Sequence, residues 1–170
     1  MKKGILETPS GKVKNYRAQA VQTDVLMRII MAGLTGPLIN VQPWNFMIVT
    51  ERTILDSLSI KLPHAKMLHK AKAALIICGT PEKNELYSRD SWVMDYSAIT
   101  RNILLACNAI GLGAVWVGAY PSKERIALVR EILNIPKEVV PVNVIPIGVP
   151  GGTGQLREKF QKENIRWERW

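Results

Sequence analysis

Residues 102–120 read NILLACNAIGLGAVWVGAY, an apolar helical pattern that stops at glycine and continues as a strand. The helix is predicted over residues 91–110, and its apolar side chains fall on every side, which indicates burial in the middle of an assembly. Gly111 is the expected left-handed C-cap, because glycine adopts a positive φ at no steric cost. With a strand predicted at residues 114–117, the stretch describes a buried helix that runs directly into a sheet.

An amide-rich turn before an apolar strand is the second informative stretch. Residues 40–50 read NVQPWNFMIVT, with the strand predicted at 46–50. Pro43 restrains its own φ and favours extended geometry at Gln42, so the amides of Asn40 and Gln42 stand on a stiff backbone. Each amide offers a donor and an acceptor, which matches the edge of a flavin or a nucleobase. The alternative is an ordinary polar turn.

The rest of the chain alternates predicted helices and strands and has no internal repeat. Thr23 and Ser122 each precede an amphipathic pattern and are expected to cap a helix. The apolar run at residues 74–78 suits a central strand that is buried on both faces. The predicted helices are residues 23–36, 51–59, 65–72 and 122–133, and a further strand is predicted at 139–147.

The composition is that of one globular domain, residues 1–170, with 47% hydrophobic and 22% charged residues. A chain of this length has enough apolar material for a core. No apolar run reaches membrane-spanning length, and no charged start precedes an apolar export segment, so we expect a cytoplasmic protein. Cys78 and Cys107 lie in apolar patterns, which predicts small core residues in a reducing compartment.

The net charge is +9, from 23 Lys and Arg against 14 Asp and Glu, which suggests a polyanionic partner. The basic residues are scattered along the sequence, without a dense tract or an aromatic-interleaved recognition motif. A nucleic-acid-binding domain therefore has only the high isoelectric point in its favour. A scattered excess of positive charge can also attract small anionic cofactors.

Three other patterns suggest familiar sites but do not fit them. The glycines at 111 and 113 follow a helix and precede a strand, the reverse of the order in a dinucleotide-binding turn. The glycine-rich residues 148–154 lack the Lys-Ser/Thr ending of a phosphate loop. His64 and His69 are five residues apart, on different faces of a helix, and no Cys or carboxylate stands at ligand spacing. The sequence therefore predicts no metal site.

Taken together, the motifs resemble the FMN-dependent nitroreductase family, and the resemblance covers nearly the whole chain as a short single-domain member. The family carries an Asn-x-Gln-Pro-Trp loop, here residues 40–44, and a helix that ends in Gly-x-Gly before a Trp-x-Gly strand, here residues 111–118. Further matches are Trp92, Asp95 and residues 134–136, 147–150 and 168–170.

The resemblance implies an α+β fold with a central, mostly antiparallel sheet flanked by helices, in an intertwined homodimer. The C-terminal extension, residues 151–170, has too few apolar residues for a core of its own. In the family such an extension wraps the partner subunit and adds a strand to its sheet, which would make Trp167 and Trp170 interface anchors. The alternative is a tail that folds back on its own domain.

The resemblance also implies four patches that bind FMN. Family members begin with Arg-Arg-Ser-(Ile/Val)-Arg, and residues 10–14 occupy those positions here, so both leading arginines are absent. Lys12 and Lys14 keep positive charge, but lysine lacks the bidentate fork of a guanidinium. The implied cofactor-binding residues are Ser10, Gly11, Lys12 and Lys14; Pro37, Leu38 and Ile39 from the partner subunit, with Asn40 and Gln42; Trp116, Val117 and Gly118; and Arg157 and Lys159.

The function implied by the resemblance is an NAD(P)H-dependent oxidoreductase in which the chemistry is carried by FMN N5. Hydride would pass from NADH or NADPH to a nitroaromatic, a quinone or a similar small oxidant by a ping-pong mechanism, without a catalytic side chain. Because the arginines are absent, the alternative is a non-catalytic module that binds a flavin or another heterocycle. No nucleic-acid or membrane partner is expected.

Overall fold

The computed structural model describes residue 13 and residues 15–35, 43–80, 92–152 and 161–170. These residues form an α+β fold, which confirms the expected class. The helices are α1 (Thr23–Gly33), α2 (Arg52–Lys61), α3 (Trp92–Ala109) and α4 (Lys123–Leu133), with short 3₁₀ turns at Lys66–His69 and Lys162–Asn164. The strands are β1 (Trp44–Val49), β2 (Ala73–Gly79), β3 (Gly113–Ala114), β4 (Val117–Gly118) and β5 (Val140–Gly148).

The five strands form one sheet in which every pair is antiparallel. The order is β1-β2-β5-β3, and β4 also pairs with β5. Every residue of β2 is buried, because helices cover both faces of this central strand. The continuous apolar run at residues 74–78 is explained by that position, as the sequence predicts.

Each face of the sheet carries its own apolar core. On one face α2, the Lys66–His69 turn and α4 pack against side chains such as Ile76 and Val144. On the other face α1 and α3 pack against side chains such as Leu75 and Ile145. The helices α1 and α3 also touch each other closely, since a Cβ on Gly33 would lie 2.8 Å from Ile103 Cγ1. The alternation of β2 and β5 side chains thus supplies both cores.

The strand predicted at residues 114–117 is wrong in detail, because the structure divides it into β3 and β4. Ala114 pairs with Ile147, and Val117 pairs with Val144. Two residues lie between these pairs on each strand, so neither strand contains an inserted residue. The residues between the strands therefore face Ile145 and Pro146. Proline has no N–H to donate, so the ladder loses a hydrogen bond at this point.

Two helix predictions are corrected by the structure. Thr23 is not a cap but the first helical residue, and the N-cap is Gln22, whose side chain makes no capping hydrogen bond. The helix predicted at 65–72 is only the 3₁₀ turn Lys66–His69. In the turn and the residues on either side of it, every third residue is buried, namely Leu62, Ala65, Leu68 and Ala71. A period of three matches a 3₁₀ turn and not an α-helix.

The other two predicted helix ends, the cap of α4 and the glycine after α3, are confirmed. The Ser122 side chain accepts a hydrogen bond from the Arg125 N–H and caps α4. Gly111, just after α3, has a φ of 80°. Strands β1 and β5 differ from their predicted bounds by one or two residues, the usual uncertainty of a boundary. Among the helices described, none has the length and hydrophobicity needed to cross a lipid bilayer.

Both cysteines are free and buried, as the sequence predicts. Burial raises the pKa of the Cys78 thiol to about 12 and that of the Cys107 thiol to about 12. The folded state therefore holds both thiols protonated. Their contribution to stability is fully present below the ordinary thiol pKa of 9.0 and is lost as the pH rises toward the folded value.

We expect the protein to lose stability above pH 9, by at most about 1.4 kcal/mol per pH unit for each thiol. Urea midpoints at neutral pH and at about pH 10.5 measure this loss. Cys78→Ala, compared with the unmodified protein at both pH values, removes one of the two thiol contributions and should make the loss shallower. Equal slopes for the two proteins would contradict burial of an ionisable thiol at this position.

Candidate functional site

Three of the cofactor-binding residues predicted from the sequence lie within the described structure, and they are consecutive. Trp116, Val117 and Gly118 run along one edge of the sheet beside β5. The other predicted residues lie outside the described part of the chain: Ser10, Gly11, Lys12, Lys14, Pro37, Leu38, Ile39, Asn40, Gln42, Arg157 and Lys159. For these the structure gives the positions of their neighbours in sequence.

The edge at residues 116–118 is partly open. Val117 is buried, whereas Trp116 is 42% exposed. A Cβ built on Gly118 would meet nothing closer than the Tyr120 carbonyl oxygen at 3.7 Å and Trp116 Nε1 at 3.9 Å. The backbone of Gly118 is therefore accessible from the side that a side chain would otherwise occupy.

Hydrogen bonds from two directions fix this open edge. Arg125 Nη1 on α4 donates to the Gly118 carbonyl oxygen at 3.3 Å. The Ala119 and Tyr120 N–H groups both donate to the Val142 carbonyl oxygen, at 2.9 and 3.0 Å. Val142 is the extra residue at an irregularity in β5, since Ile77 pairs with Asn143 but Cys78 pairs with Pro141. Bulges of this kind re-aim a strand and are common near functional sites.

Asn143, the cross-strand partner of Gly118, ties the same edge to α3. It is fully buried, and its Nδ2 donates to Thr100 Oγ1 at 2.7 Å. Thr100 Oγ1 in turn donates to the Tyr96 carbonyl oxygen at 2.6 Å. Neither Asn143 nor Arg125 was identified from the sequence. The signal for Asn143 was a lone amide in the apolar run of residues 140–148.

An aromatic group lies where this edge meets the end of β2. The rings of Trp92 and Tyr96 are 5.3 Å apart between centroids, and those of Trp92 and Tyr120 are 4.9 Å apart, both edge to face. Gly79 packs under them, since a Cβ there would lie 2.8 Å from Tyr96 Oη. Such ring contacts fix the position of α3 relative to the segment after β4.

The downstream end of the amide-rich loop is anchored at the same end of the sheet. The Thr80 N–H and the Thr80 hydroxyl both donate to the Pro43 carbonyl oxygen, each at 2.9 Å. Trp44, the next residue, pairs with Gly79. The loop that carries Asn40 and Gln42 thus enters the sheet at a fixed point beside the aromatic group.

The N-terminal segment is anchored at the opposite end of the sheet. The Tyr16 hydroxyl donates to the Pro146 carbonyl oxygen at 3.2 Å, and the Arg17 N–H donates to the Val149 carbonyl oxygen at 2.8 Å. Tyr16 is buried, and burial raises the pKa of its phenol, with a smaller effect in the same direction from Cys107. Val13 packs over Gly113, where a Cβ would lie 2.8 Å from Val13 Cγ2.

These two anchors are far apart in one chain. Val140 pairs with Gly79 at the Pro43 end of β5, and Gly148 contacts Tyr16 at the other end. Residues 140–148 of a strand span about 26 Å at about 3.3 Å per residue. The N-terminal segment and the amide-rich loop of a single chain therefore enter the sheet at its two ends.

Comparison with known proteins agrees with this fold. The profile described as the Nitroreductase family matches residues 55–149. A protein of Archaeoglobus fulgidus, named as an NADH dehydrogenase/NAD(P)H nitroreductase, is 35% identical over 162 residues, which cover 93% of this chain and 92% of the relative. A crystal structure under the same name from Parabacteroides distasonis has a TM-score of 0.87 at 35% identity, over 96% of this chain and 95% of the other.

A third comparison, with a nitroreductase from Desulfovibrio desulfuricans solved in complex with FMN, shows the fold alone. Its TM-score is 0.80 at 24% identity, and the match covers 98% of this chain and 95% of that one. The resemblance drawn from the sequence motifs is confirmed by the family profile and by the relatives at 35% identity. The chain belongs to the nitroreductase family.

Proposed function

We propose that this protein is an FMN-dependent oxidoreductase that takes hydride from NAD(P)H and passes it to a nitroaromatic, a quinone or a similar small oxidant. Membership of the family supports the general class, because relatives over most of the chain are named as NAD(P)H nitroreductases. The single structural observation that carries the proposal is the open, rigid edge at Trp116–Gly118. We place the protein in the cytoplasm, since free thiols suit a reducing compartment.

The residues at this edge fit a planar heterocycle. Gly118 leaves room for a ring to approach the backbone, and the half-exposed Trp116 borders that room. Bound FMN supplies the hydride-accepting chemistry. The task of Arg125, Asn143 and the Val142 carbonyl is to hold the edge in place, so that the ring is oriented before NAD(P)H arrives.

We assign to basic residues the binding of the FMN phosphate and the stabilisation of negative charge near the pyrimidine edge of the ring. Lys12 and Lys14 flank Val13, whose packing over Gly113 anchors their segment next to β3. Ser10 and Gly11 precede them, and Arg157 and Lys159 provide a second basic pair. Cations placed where negative charge develops stabilise it. Because Ser10 and Gly11 stand in place of the two leading arginines and Lys14 in place of the third, we expect FMN to be held more weakly than in members that keep the arginines.

We assign to the amide-rich loop the contacts with the polar edge of the flavin ring and with one of its faces. Asn40 and Gln42 would donate to and accept from the heterocycle, with Pro37, Leu38 and Ile39 lining it. The loop enters the sheet about 26 Å along β5 from the N-terminal anchor. A site that needs both segments is therefore built most simply from two chains, with this loop supplied by the partner subunit.

The described end of the C-terminal extension supports such a homodimer. Every residue from 161 to 170 is exposed in the single chain, including Trp167 at 82% and Trp170 at 100%. A tail folded back on its own domain would bury these rings. Met27, Met31 and Met94 on α1 and α3 are exposed as well, at 50%, 66% and 70%. Large exposed apolar groups of this kind are typical of an interface.

NADH oxidation with added menadione tests this function. We expect FMN-dependent turnover, with parallel lines in double-reciprocal plots against the two substrates, as a ping-pong cycle requires. The alternative, a non-catalytic module that binds a flavin or another heterocycle, is favoured by one observation, the absence of both leading arginines. Binding of FMN without any NADH oxidation would select that alternative.

Gly118→Ala should lower FMN affinity about tenfold or more, because the added methyl group occupies the room assigned to the ring. The folded protein without FMN should keep its urea midpoint, since the nearest atom to the new Cβ is 3.7 Å away. Fluorescence titration with FMN measures the affinity. Gly152→Ala, where a Cβ meets nothing within 4 Å, is the matched control and should change neither quantity. Unaltered FMN affinity in Gly118→Ala would remove the edge from the site.

A further inference from the structure

The connection between α2 and β2 concentrates positive charge that looks scattered in the sequence. Residues 61–72 read KLPHAKMLHKAK, with four lysines and two histidines. No Asp or Glu occurs anywhere from residue 57 to residue 81. The function proposed above does not use this segment.

In the folded chain, residues 61–72 have an apolar side that is buried and a basic side that faces the solvent. Leu62, Ala65, Leu68 and Ala71 point into the core and are at most 2% exposed. The basic residues of the segment lie on the outside, where all are exposed except the half-buried Lys72. We call this surface the basic face, and it consists of Lys61, Lys66, His69, Lys70 and Lys72.

Few carboxylates neutralise the basic face. Asp56 Oδ1 lies 2.9 Å from His69 Nδ1 and 3.0 Å from Arg52 Nη2. Desolvation opposes ionisation of Asp56, but the hydrogen bonds from His69 and Arg52 outweigh it and lower the pKa of this carboxyl. Glu131 Oε1 lies 3.5 Å from Lys61 Nζ. In the described part of the chain Lys66, Lys70 and Lys72 form no ion pair.

The basic face is held rigidly. Arg52 Nη1 donates to the Ala71 carbonyl oxygen at 2.9 Å, and Arg52 Nη2 donates to the Leu68 carbonyl oxygen at 2.6 Å. The Ser59 hydroxyl donates to the Lys66 carbonyl oxygen at 3.2 Å. A charged surface on a fixed backbone loses less entropy on binding than one on a mobile loop.

The basic face also borders the segment to which we assign the FMN phosphate. Lys70 Nζ donates to Asn15 Oδ1 at 3.2 Å, and the Lys72 N–H donates to the Ile147 carbonyl oxygen at 3.3 Å. Asn15 follows Lys14 directly in sequence. A partner that covers the basic face would therefore dock next to the proposed cofactor.

We propose that the basic face is the docking surface for an acidic protein that carries a one-electron redox centre and accepts electrons from this enzyme. The inference rests on the proposed function. Charge complementarity steers the encounter, and redox partners form small, short-lived interfaces of this kind. A single-stranded nucleic acid is the less suitable occupant, because the basic face contains no Phe, Tyr or Trp side chain on which bases could stack.

The electron balance is simple. NAD(P)H gives up a hydride, which is two electrons and a proton, and two oxidised carriers each take one electron. The overall reaction is NAD(P)H plus two oxidised carriers giving NAD(P)⁺, two reduced carriers and one H⁺. The proton leaves to solvent, and no further oxidant is needed.

The FMN-loaded protein with NADH should reduce the acidic probe cytochrome b5 much faster than the basic probe cytochrome c at low salt. At about 300 mM salt the advantage should disappear, because screening weakens the attraction between exposed charges. Direct titration of fluorescently labelled cytochrome b5 gives a second readout that does not depend on turnover. Its dissociation constant should rise with salt in parallel.

Lys66→Glu should lower the second-order rate constant for cytochrome b5 about three- to tenfold at low salt, and Lys66→Glu/Lys72→Glu should lower it further. Menadione reduction should stay unchanged in both variants. Lys137→Glu is the matched control: it reverses an exposed charge that does not belong to the basic face, and it should leave cytochrome b5 reduction unaltered.

Three results would overturn the docking proposal. The first is menadione reduction without cytochrome b5 reduction, which leaves the proposed function intact. The second is an equal effect of Lys66→Glu and Lys137→Glu on cytochrome b5 binding. The third is a DNA gel shift that Lys66→Glu abolishes while cytochrome b5 does not bind, which assigns the basic face to nucleic acid. If neither acceptor is reduced, the proposed function itself fails and electron transfer at the basic face fails with it.

Discussion

Replacing Gly148 with alanine should destabilise the protein by about 1–3 kcal/mol, the usual cost of forcing an extra methyl group into a packed core. A Cβ at this position would lie 2.7 Å from Tyr16 Cδ1 and 3.1 Å from Tyr16 Cγ. The Tyr16 ring cannot move aside easily, because it is buried and its hydroxyl is bonded to the Pro146 carbonyl oxygen. For a chain of this size the melting temperature should fall by several degrees.

The same substitution should also weaken FMN binding. Tyr16 anchors the N-terminal segment to the end of β5, and Lys12 and Lys14 lie just before it in sequence. Displacing the ring shifts that anchor, so we expect lower FMN affinity even at temperatures where the variant is folded. Gly152→Ala is again the control. A Gly148→Ala variant with an unchanged urea midpoint would contradict the packing of Tyr16 over β5.

Replacing Trp167 and Trp170 together with alanine should raise the dimer dissociation constant about 1000-fold or more, since buried tryptophans at an interface contribute on the order of 2 kcal/mol each. Both rings are almost fully exposed in the single chain, so their removal should not harm the fold of the monomer. Analytical ultracentrifugation over a range of concentrations measures the dissociation constant.

Because the proposed site is shared between two chains, FMN affinity should fall together with dimer stability. Ile60→Ala is the matched control: Ile60 is 84% exposed on α2, so this variant removes an exposed apolar side chain without touching the C-terminal extension. It should leave the dimer unchanged. If the double tryptophan variant remained as dimeric as the unmodified protein, the extension would not be an interface segment.

Much of the fold follows from local sequence patterns. The buried run at residues 74–78 predicts the central strand β2, and Ser122 and Gly111 predict the ends of α4 and α3. Each of these features is decided by neighbours in sequence, through side-chain capping, backbone freedom or continuous burial. The family follows from the motifs at residues 40–44 and 111–118, and the mostly antiparallel sheet was implied by that resemblance.

The errors arise where distant residues decide the structure. The interruption between β3 and β4 depends on Pro146 in the neighbouring strand, more than 25 residues away. The connection that contains the 3₁₀ turn Lys66–His69 is also held by Arg52, which donates to two of its carbonyl oxygens. Neither contact is visible as a short-range pattern.

The candidate site was predictable only in part for the same reason. The motif at residues 116–118 indicates a functional edge, but the residues that hold it, Arg125 and Asn143, come from α4 and β5. The basic face was missed as well, because its lysines alternate with buried apolar residues and look dispersed in the sequence. Only the fold gathers them on one surface.

The visible absorption spectrum of the purified protein, recorded before and after addition of excess FMN and desalting, is the decisive test of FMN binding. We predict a flavin spectrum that remains after desalting, is bleached by NADH and returns on addition of menadione. Part of the flavin should be lost at each desalting step, because Ser10 and Gly11 replace the two leading arginines of the family and Lys14 replaces the third. A protein that stays colourless after incubation with FMN would show that it does not bind this cofactor and is not an FMN-dependent oxidoreductase.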